Sequence, residues 1–418
     1  MRRLLVVLAI LFALPVCAQT VAIRAGNLID PATGSVAKNQ IILIRNQKIT
    51  EVGPSVAIPS DAKVIDLSGE WIMPGIMDSH THITFLLPNM NTPLEANYLV
   101  VGKGMRVLQG LKIAQALLNA GITTVRDVGN EADYASVDVR NAINQGWFTG
   151  PTILTSGKII APFGGQSSGV PPEAGPVWRF EYIDADGPAE IRKAVRENIF
   201  YGADLIKLVS DNSDYFYSEE EIRAAADEAH RAGKALAVHC YKKEEADTVI
   251  NGGADSLEHG WYLTDDQLRL MKTKGTFLAG TEFPEAHFVQ GGYPNGPAIS
   301  AAALDRLHRA YTIGVKLVFS TDIVSAMPNE TRADMAWDYL AGWRKAGVPN
   351  AAVLKAMTTD PAELLRIQKE RGAIATGLYA DIIAMPANPL DDTEALRKVN
   401  FVMKNGAAIR SDAEKNSK

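Results

Sequence analysis

Residues 21–67 consist of short stretches in which apolar and polar residues alternate, with Gly, Pro and Asn between the stretches. A similar alternation returns near the carboxyl end, in ADIIAMPANPL and VNFVMKNGAAI. A period of two is typical of strands that bury one face, and frequent turn residues favour short antiparallel strands. The two distant segments are therefore predicted to pair into one small sheet.

The middle of the chain repeats a different pattern, in which a short apolar run is followed by a loop and a helix-like segment. Eight apolar runs can be counted, at residues 71–78, 123–127, 152–156, 205–209, 235–238, 256–257, 276–279 and 316–319. Ser218 followed by Glu221 predicts a capping box at the start of one intervening helix. Strands that alternate with helices favour a parallel sheet, and eight such units match a closed barrel.

The predicted fold class is therefore α/β, a (β/α)8 barrel of the TIM type with a small β-sandwich domain formed by both termini. The barrel is predicted to span residues 71–373, and the β domain to combine residues 19–70 with residues 374–418. A chain of 418 residues, 47% of them apolar, is long enough to bury the large core that this architecture requires.

Residues 1–18 predict a secretory signal peptide. Two arginines precede the apolar run at 4–14, and small residues precede a cleavage point before Gln19. The run is too short to span a bilayer, so no membrane span is expected after cleavage; a lipoprotein site at Cys17 is left open. The mature protein is predicted to be secreted or periplasmic, and its single cysteine, Cys240, allows no internal disulfide.

The charge of the chain narrows the class of partner. Its 42 basic and 48 acidic residues give a net charge of -6, without a basic run. Nucleic-acid binding needs clustered Lys and Arg, so this class is excluded. The expected partner is a small-molecule or dipeptide substrate, and the sequence leaves room for a homo-oligomer.

Polar residues end six of the eight apolar runs, where a barrel of this kind carries its active site. They are His80 and His82, Asp127, Lys207, His239, His259 and Asp322, and they include four of the seven histidines in the chain. His80 and His82 lie two apart on a strand, so both point to one face and can reach one cation. Imidazole and carboxylate ligands suit zinc, with manganese and cobalt left open. Asp127 is instead predicted to brace the barrel through hydrogen bonds.

The motifs at these positions resemble those of the amidohydrolase superfamily. PGIMDSHTH, AGITTVRD, GADLIKL, LAVHC, SLEHG and STD occur in the order of the superfamily, and GAIATGLYADIIAMPANPL closes the pattern. Within it, the chain is similar to the branch of prolidase-like and Xaa-Arg/Lys carboxypeptidase-like enzymes, which includes ochratoxin-hydrolysing amidases. The resemblance covers essentially the whole mature length and implies a metal-dependent hydrolase acting on C–N bonds.

The resemblance also implies a centre for two divalent metal ions. The implied ligands are His80, His82 and Asp322 for one ion, and His239 and His259 for the other. Lys207 would be carbamylated and would bridge the two ions as a carboxylate. A hydroxide bridging the ions would attack the scissile carbonyl, since coordination lowers the pKa of water toward about 7. Asp322 would take up the proton and deliver it to the leaving amine.

Three further residues are candidates for contact with the substrate. Tyr241 follows His239 by two positions and could face the same cavity, or pack at its rim. Gln166 stands in APFGGQSSG where many relatives have a histidine; it can donate a hydrogen bond but cannot carry charge. It lies in residues 158–187, whose Gly and Pro content is typical of a substrate-facing lid. His287, in a loop after the seventh run, either contacts substrate or is solvated.

The residues leave three functions open. The leading hypothesis is a binuclear zinc amidohydrolase that cleaves an amide or peptide bond next to a free carboxylate, in a dipeptide, an N-acyl amino acid or an ochratoxin-like amide. The second is a hydrolase of a cyclic amide, a carbamate or a phosphotriester, since the same metal pair can activate water against each of these. The third is a periplasmic metal- or ligand-binding protein without turnover, which the presence of both Asp322 and Lys207 disfavours.

Overall fold

The chain is an α/β protein whose central strands are parallel, in a computed structural model that describes residues 20–87, 92, 94–129, 132–167, 170–211, 215–290, 295–325 and 330–412. The predicted signal peptide, with Cys17, lies outside these residues. The strands are β1 (Val21–Asp30), β2 (Ser35–Arg45), β3 (Lys48–Gly53), β4 (Lys63–Pro74), β5 (Ile76–Thr81), β6 (Ile122–Asp127), β7 (Thr152–Thr155), β8 (Ile159–Ala161), β9 (Tyr182–Asp184), β10 (Ile206–Val209), β11 (Leu236–Cys240), β12 (Ser256–His259), β13 (Phe277–Ala279), β14 (Ile382–Met385), β15 (Phe401–Lys404) and β16 (Ala407–Ser411). The α-helices are α1 (Leu94–Val100), α2 (Lys103–Asn119), α3 (Ala135–Asn144), α4 (Pro188–Phe200), α5 (Glu219–Arg231), α6 (Ala246–Asn251), α7 (Asp265–Lys274), α8 (Glu285–Gln290), α9 (Gly296–Ile313), α10 (Arg332–Lys345), α11 (Asn350–Ala356) and α12 (Thr359–Leu364).

Strands from both ends of the chain form one seven-stranded sheet, in the order β16-β15-β14-β4-β1-β2-β3. The predicted pairing of the two distant segments is confirmed, because β14 pairs with β4, with Ala384 opposite Ile72. The expectation of purely antiparallel strands is wrong at one place, since β1 and β4 are parallel. The hairpin of β2 and β3 lies on one side of β1, and β4 lies on the other side. The chain therefore crosses over between β3 and β4, and β4 runs parallel to β1.

The seven-stranded sheet encloses a core of its own. Its cluster of buried side chains includes Ile23, Ile42, Ile65, Ile382 and Phe401, contributed by five different strands. The sheet curls so far that its edge strand β3 meets the segment before β14, where Ile49 donates its N–H to the carbonyl of Leu378 at 2.8 Å. One face of β1, β2, β3, β4, β14 and β15 is thereby turned to the same apolar interior, as the period-two pattern requires.

A buried charge cluster joins this sheet to the parallel strands. Asp381 accepts hydrogen bonds from Lys404, at 2.6 Å, and from Arg371. Lys404 also donates to the hydroxyl of Thr152 on β7 at 2.7 Å. Burial by itself would raise the pKa of Asp381, but Lys404 and Arg371 outweigh burial and hold the pKa below its ordinary value. The carboxylate therefore stays charged at neutral pH.

Replacing Asp381 with Asn is expected to lower the free energy of unfolding by about 3–5 kcal/mol, because two buried cations lose their counter-charge. The measurement is urea denaturation, with Asp391→Asn on the surface as the matched control. The loss should shrink as the pH falls below about 4, where the unfolded-state carboxyl becomes protonated and the wild type loses the same charge. Equal stabilities of the two variants at pH 7 would contradict the stabilising role of the cluster.

The central strands form two parallel sheets, one in the order β5-β6-β7 and one in the order β13-β12-β11-β10-β8-β9. Seven of the eight predicted apolar runs lie on these strands or on the junction of β4 and β5. The eighth, residues 316–319, was predicted as a strand but makes only one isolated bridge, Leu278 to Leu317. The backbone of this segment still hydrogen-bonds to a strand on each side. Lys316 O accepts from Leu278 N in β13 at 2.9 Å, and Phe319 O accepts from Ser79 N in β5 at 2.8 Å.

The segment 158–187, predicted as a lid, contains two strands of the parallel sheet. β8 lies beside β10, with Ile160 opposite Leu208, and β9 lies on the outer side of β8. Gly157, with φ of +66°, lies in the turn between β7 and β8. Gly164, with φ of +94°, lies in the turn that follows β8. A lid is therefore possible only in the loop between β8 and β9, which carries Gln166, and for this loop it stays a prediction.

One helix begins at the capping box that the sequence predicts. Helix α5 begins after Ser218, whose hydroxyl accepts from the N–H of Glu221 while the Glu221 carboxylate accepts from Ser218 N–H. The predicted capping box is therefore confirmed. Among the described helices, none is long and apolar enough to cross a membrane.

Candidate metal centre

The side chains of His80, His82 and Asp322 converge at the carboxyl ends of the parallel strands. His82 Nε2 lies 3.0 Å from Asp322 Oδ1, and His80 Nε2 lies 3.6 Å from the same oxygen. The N–H of Asp322 donates to the carbonyl of His80 at 2.7 Å, which ties the segment after the eighth run to β5. All three residues are buried. One carboxylate oxygen thus faces two imidazole nitrogens across distances that suit ligands of one ion.

The two histidines on β12 and β11 lie next to this group. His259 Nδ1 is 3.8 Å from Asp322 Oδ2, and ligand atoms of His80, His259 and Asp322 all lie within 4.8 Å of one another. The ring of His239 lies 4.5 Å from that of His259, centroid to centroid. The structure therefore brings together the four strand-end histidines and Asp322.

Lys207 is buried in β10 at 2% exposure, and its Nζ has no hydrogen-bond partner among the described residues. Burial lowers the pKa of its amine to about 8. A buried, unpaired ammonium is costly, so such a lysine needs either neutralisation or a counter-charge. The ordinary alternative, a lysine whose amine reaches solvent or a surface ion pair, does not describe this residue.

These residues fit divalent metal ions, which would be held by the imidazoles, the Asp322 carboxylate and Lys207. Burial lowers the pKa of His80, His239 and His259 well below the ordinary value. The three rings are therefore neutral, the form in which imidazole binds metal. Lys207 Nζ, buried without a hydrogen-bond partner among the described residues, adds a further polar atom at this centre.

Glu258 and Arg126 support this centre, and the sequence reading missed both. His80 Nδ1 lies 2.7 Å from Glu258 Oε2, and Arg126 Nη2 donates to both oxygens of that carboxylate at 2.9 and 2.7 Å. Arg126 also donates to the hydroxyl of Ser256 at 2.8 Å. The hydrogen bond at Nδ1 leaves Nε2 of His80 for a ligand and fixes the ring orientation.

Three non-glycine residues around the centre have left-handed backbone conformations. The φ angles are +71° at His259, +46° at Thr281 and +52° at Asp322. Such conformations cost about 1–3 kcal/mol each and concentrate at functional sites. The Thr281 hydroxyl lies 2.7 Å from His259 Nδ1, so the strained turn after β13 holds a ring of the cluster.

The predicted substrate contacts lie in three different surroundings. Tyr241 is half-buried, with its ring 4.2 Å from His239 and 4.6 Å from Trp261. Gln166 Oε1 accepts a hydrogen bond from the hydroxyl of Tyr182 at 3.0 Å. The placement of His287 in a solvated loop is wrong. His287 is buried in the short helix α8, with Nε2 3.2 Å from Asp338 Oδ2. Pro284, directly before this helix, is a residue type that favours a helix start and could have indicated it.

The predicted bracing role of Asp127 near the centre is confirmed. Asp127 accepts a hydrogen bond from the N–H of Ile83 through its Oδ2, which braces the turn after His82. Cys240 is buried in the main apolar core and is a free thiol.

An aromatic wall that sequence reading did not find adjoins the histidine cluster. It consists of Tyr241, Trp261, Phe283 and Phe288, with ring centroids 4.6 to 6.3 Å apart along the series. Trp261 is also 5.8 Å from His259. Tyr241 follows β11, Trp261 follows β12, and Phe283 and Phe288 follow β13, with Phe288 in α8. No local pattern in the sequence joins these positions.

Comparison with known proteins assigns the chain to a family. The model of the amidohydrolase family matches residues 71–409. Ochratoxinase from Aspergillus niger is 27% identical, over 94% of this chain and 87% of its own. A solved structure of a Xaa-Pro dipeptidase with bound methionine in the active site is 28% identical, covers 94% of this chain and 100% of its own, and superposes with a TM-score of 0.84. The structure of A. niger ochratoxinase, 24% identical over 94% of this chain and 96% of its own, shares the fold at a TM-score of 0.81. With most of its length matched and its strand-end histidines together, the chain belongs to the amidohydrolase family.

Proposed function

We propose that this chain, a hydrolase acting on C–N bonds, cleaves an amide or peptide bond next to a free carboxylate. The proposed cofactor is a pair of divalent metal ions, with zinc as the first candidate. The observation that carries the proposal is the convergence of four buried imidazoles and one carboxylate beside a buried lysine without a partner among the described residues. A merely structural polar cluster would pair that lysine.

The proposed ligands are divided between the two ions. His80, His82 and Asp322 would hold one, His239 and His259 the other, and a carbamate on Lys207 would join them. The neutral Lys207 amine would add to carbon dioxide, forming one C–N bond and releasing one proton, so that a carbamate with a single negative charge results. The lowered pKa of the amine supports this reaction, because a neutral fraction is then present near pH 8.

When bound, the ions would activate water as a nucleophile and polarise the scissile carbonyl. Asp322 is the residue proposed to transfer the proton. Its Oδ1 lies 3.0 Å from His82 Nε2, and its other oxygen faces His259. Asp322 would accept the proton of the attacking water and return it to the leaving nitrogen, which departs as an amine. Burial of the cluster would exclude bulk water from this transfer.

The substrate class is supported by the relatives and by the aromatic wall. One relative is an ochratoxinase and another a Xaa-Pro dipeptidase with methionine bound. The aromatic wall beside the cluster suits an apolar side chain of the substrate, since ring surfaces bury apolar groups. We propose that Tyr241 and Gln166 bind its polar groups, with His287 as a third candidate.

The architecture proposed for this function is a closed barrel with a terminal β-sandwich. Closure is supported by residues 316–319, which hydrogen-bond to both β13 and β5. At the opposite seam, Asp204 donates its N–H to the carbonyl of Thr155 at 2.7 Å. Secretion or periplasmic export, and assembly into a homo-oligomer, remain proposals from the sequence.

A screen of dipeptides and N-acyl amino acids against the zinc-loaded protein tests the function. Each acid is paired with its carboxamide, so that only the free carboxylate differs. The acids are expected to show kcat/KM about 10–100-fold higher, because a hydrogen bond to a charged group contributes about 1.5–3 kcal/mol. Hydrolysis confined to cyclic amides, carbamates or phosphotriesters would contradict the substrate class.

A further inference from the structure

Three of the four clustered histidines have one ring nitrogen next to an outer partner. His80 Nδ1 lies 2.7 Å from Glu258, and His82 Nδ1 lies 2.9 Å from the carbonyl of Gly129. His259 Nδ1 lies 2.7 Å from the hydroxyl of Thr281. Metal-binding histidines have such a partner on the nitrogen that does not bind the ion, because it fixes both the tautomer and the ring orientation. In all three the outer nitrogen is Nδ1.

His239 differs from the other three. Its Nε2 has no hydrogen-bond partner among the described residues, although the side chain is almost fully buried. Oδ1 of Asp211 lies 3.6 Å from that nitrogen, and it is also buried without a hydrogen-bond partner in the described part of the chain. Two unsatisfied buried atoms of complementary chemistry thus face each other across slightly more than a hydrogen-bond length.

Asp211 is fixed where it stands by its second oxygen. It follows β10 directly after Ser210, and its Oδ2 accepts a hydrogen bond from the N–H of Lys242, just beyond β11. The ligand atoms that lie within 4.8 Å of one another belong to His80, His259 and Asp322, and Asp211 is not among them. Its Oδ1 instead lies beside Nε2 of His239, a ring that is likewise outside that group of three.

We propose that Asp211 is a positioning residue for His239. It accepts a hydrogen bond from Nε2–H of His239 and thereby selects the tautomer that leaves Nδ1 as the metal-binding nitrogen. The inference rests on the proposed function, in which His239 holds the second ion. The carboxylate also makes the imidazole a more basic ligand, so the second ion is bound more tightly than by His239 alone. His239 would then bind through the opposite ring nitrogen from the other three histidines.

The test is Asp211→Asn, which keeps an oxygen for the N–H of Lys242 but removes the charge. The matched control is Asp255→Asn, since Asp255 likewise accepts a backbone N–H, from Leu236 at 2.7 Å, and faces a histidine, His230, at 2.7 Å. His230 is not a proposed ligand. Zinc affinities are measured by competition with a chromophoric chelator, and the cobalt-loaded proteins are compared by their visible absorption.

The affinity of Asp211→Asn for the second ion is expected to fall about 10–100-fold, with a changed cobalt spectrum and an unchanged first affinity. Asp255→Asn should keep both affinities. In a His239→Gln background, Asp211→Asn should cause no further loss, because it acts through that ring. Asp211→Ser, which keeps a hydroxyl acceptor, replaces the Asn variant if that variant does not fold.

Unchanged affinities and an unchanged spectrum in the Asp211 variant, with two ions in the wild type, would overturn the positioning role. It would also be overturned by an equal loss in the His239→Gln background. A wild-type protein that binds no zinc would instead contradict the proposed function, so the two failures are distinguishable.

Discussion

Asp322→Asn is expected to lower kcat by about 10²–10⁴-fold while two metal ions stay bound, because a positioned proton-transfer group contributes rate enhancement of that size. Asn is the suitable replacement for two reasons. It is nearly the same shape as Asp, and it tolerates the left-handed backbone conformation, with φ of +52°, that this position requires. The amide oxygen can still face His82 and His80, but it cannot take up a proton at neutral pH.

The measurements for this variant are steady-state kinetics and metal analysis of the same sample. Asp255→Asn makes the same chemical change in a carboxylate that bonds Leu236 at the start of β11, away from the cluster, and is expected to keep kcat within a few-fold of the wild type. Full turnover by Asp322→Asn would remove this residue as the base. Loss of an ion together with turnover would show that its main contribution is as a ligand.

Lys207→Met is expected to reduce the metal content from two ions to one or fewer and to lower kcat/KM by about 10³-fold. Met fills the buried space of the lysine stem but cannot form a carbamate, so the bridging carboxylate is lost. That fall corresponds to about 4 kcal/mol of transition-state stabilisation, within the several kcal/mol attributed to metal ions. The variant should fold, because a buried nitrogen without a hydrogen-bond partner among the described residues is replaced by an apolar side chain.

Lys207→Glu is the matched comparison, since it places a carboxylate on the same strand without a reaction with carbon dioxide. Its side chain is shorter than a carbamylated lysine, so we expect partial recovery of the second ion, above the level in Lys207→Met. Mass spectrometry of the intact wild type in bicarbonate should find the added mass of one carbon dioxide, absent from both variants. Two ions bound to Lys207→Met would contradict the bridging role.

The strand-end positions of the cluster were predictable because two local rules act together. Apolar runs locate the parallel strands, and the residue after each run must lie at one common edge. His80, His239 and His259 therefore come together although up to 179 positions separate them. The roles proposed for Lys207 and Asp322 came only from the resemblance to the superfamily, because a lysine at a strand end has several ordinary explanations.

Glu258 and Arg126 could not be found in this way. Glu258 directly precedes His259 on β12, so the alternation of a strand assigns it to the opposite side from its neighbour. Its interaction with Arg126 links β12 to β6, and such a pair depends on the register between distant strands. The strands β8 and β9 were missed for another reason: the Gly and Pro residues around them favour a loop in any local reading.

The position of β4 in the terminal sheet has a consequence for synthesis of the chain on the ribosome. One neighbour of β4 is β1, made shortly before it, and the other is β14, whose residues follow after most of the remaining chain. At about 5–20 residues per second, the roughly 300 intervening residues take about 15–60 s to synthesise. Throughout that interval the nascent chain carries an open β edge that can recruit strands from other nascent chains. Pairing of β14 with β4 therefore closes this edge only after nearly the whole chain has been made.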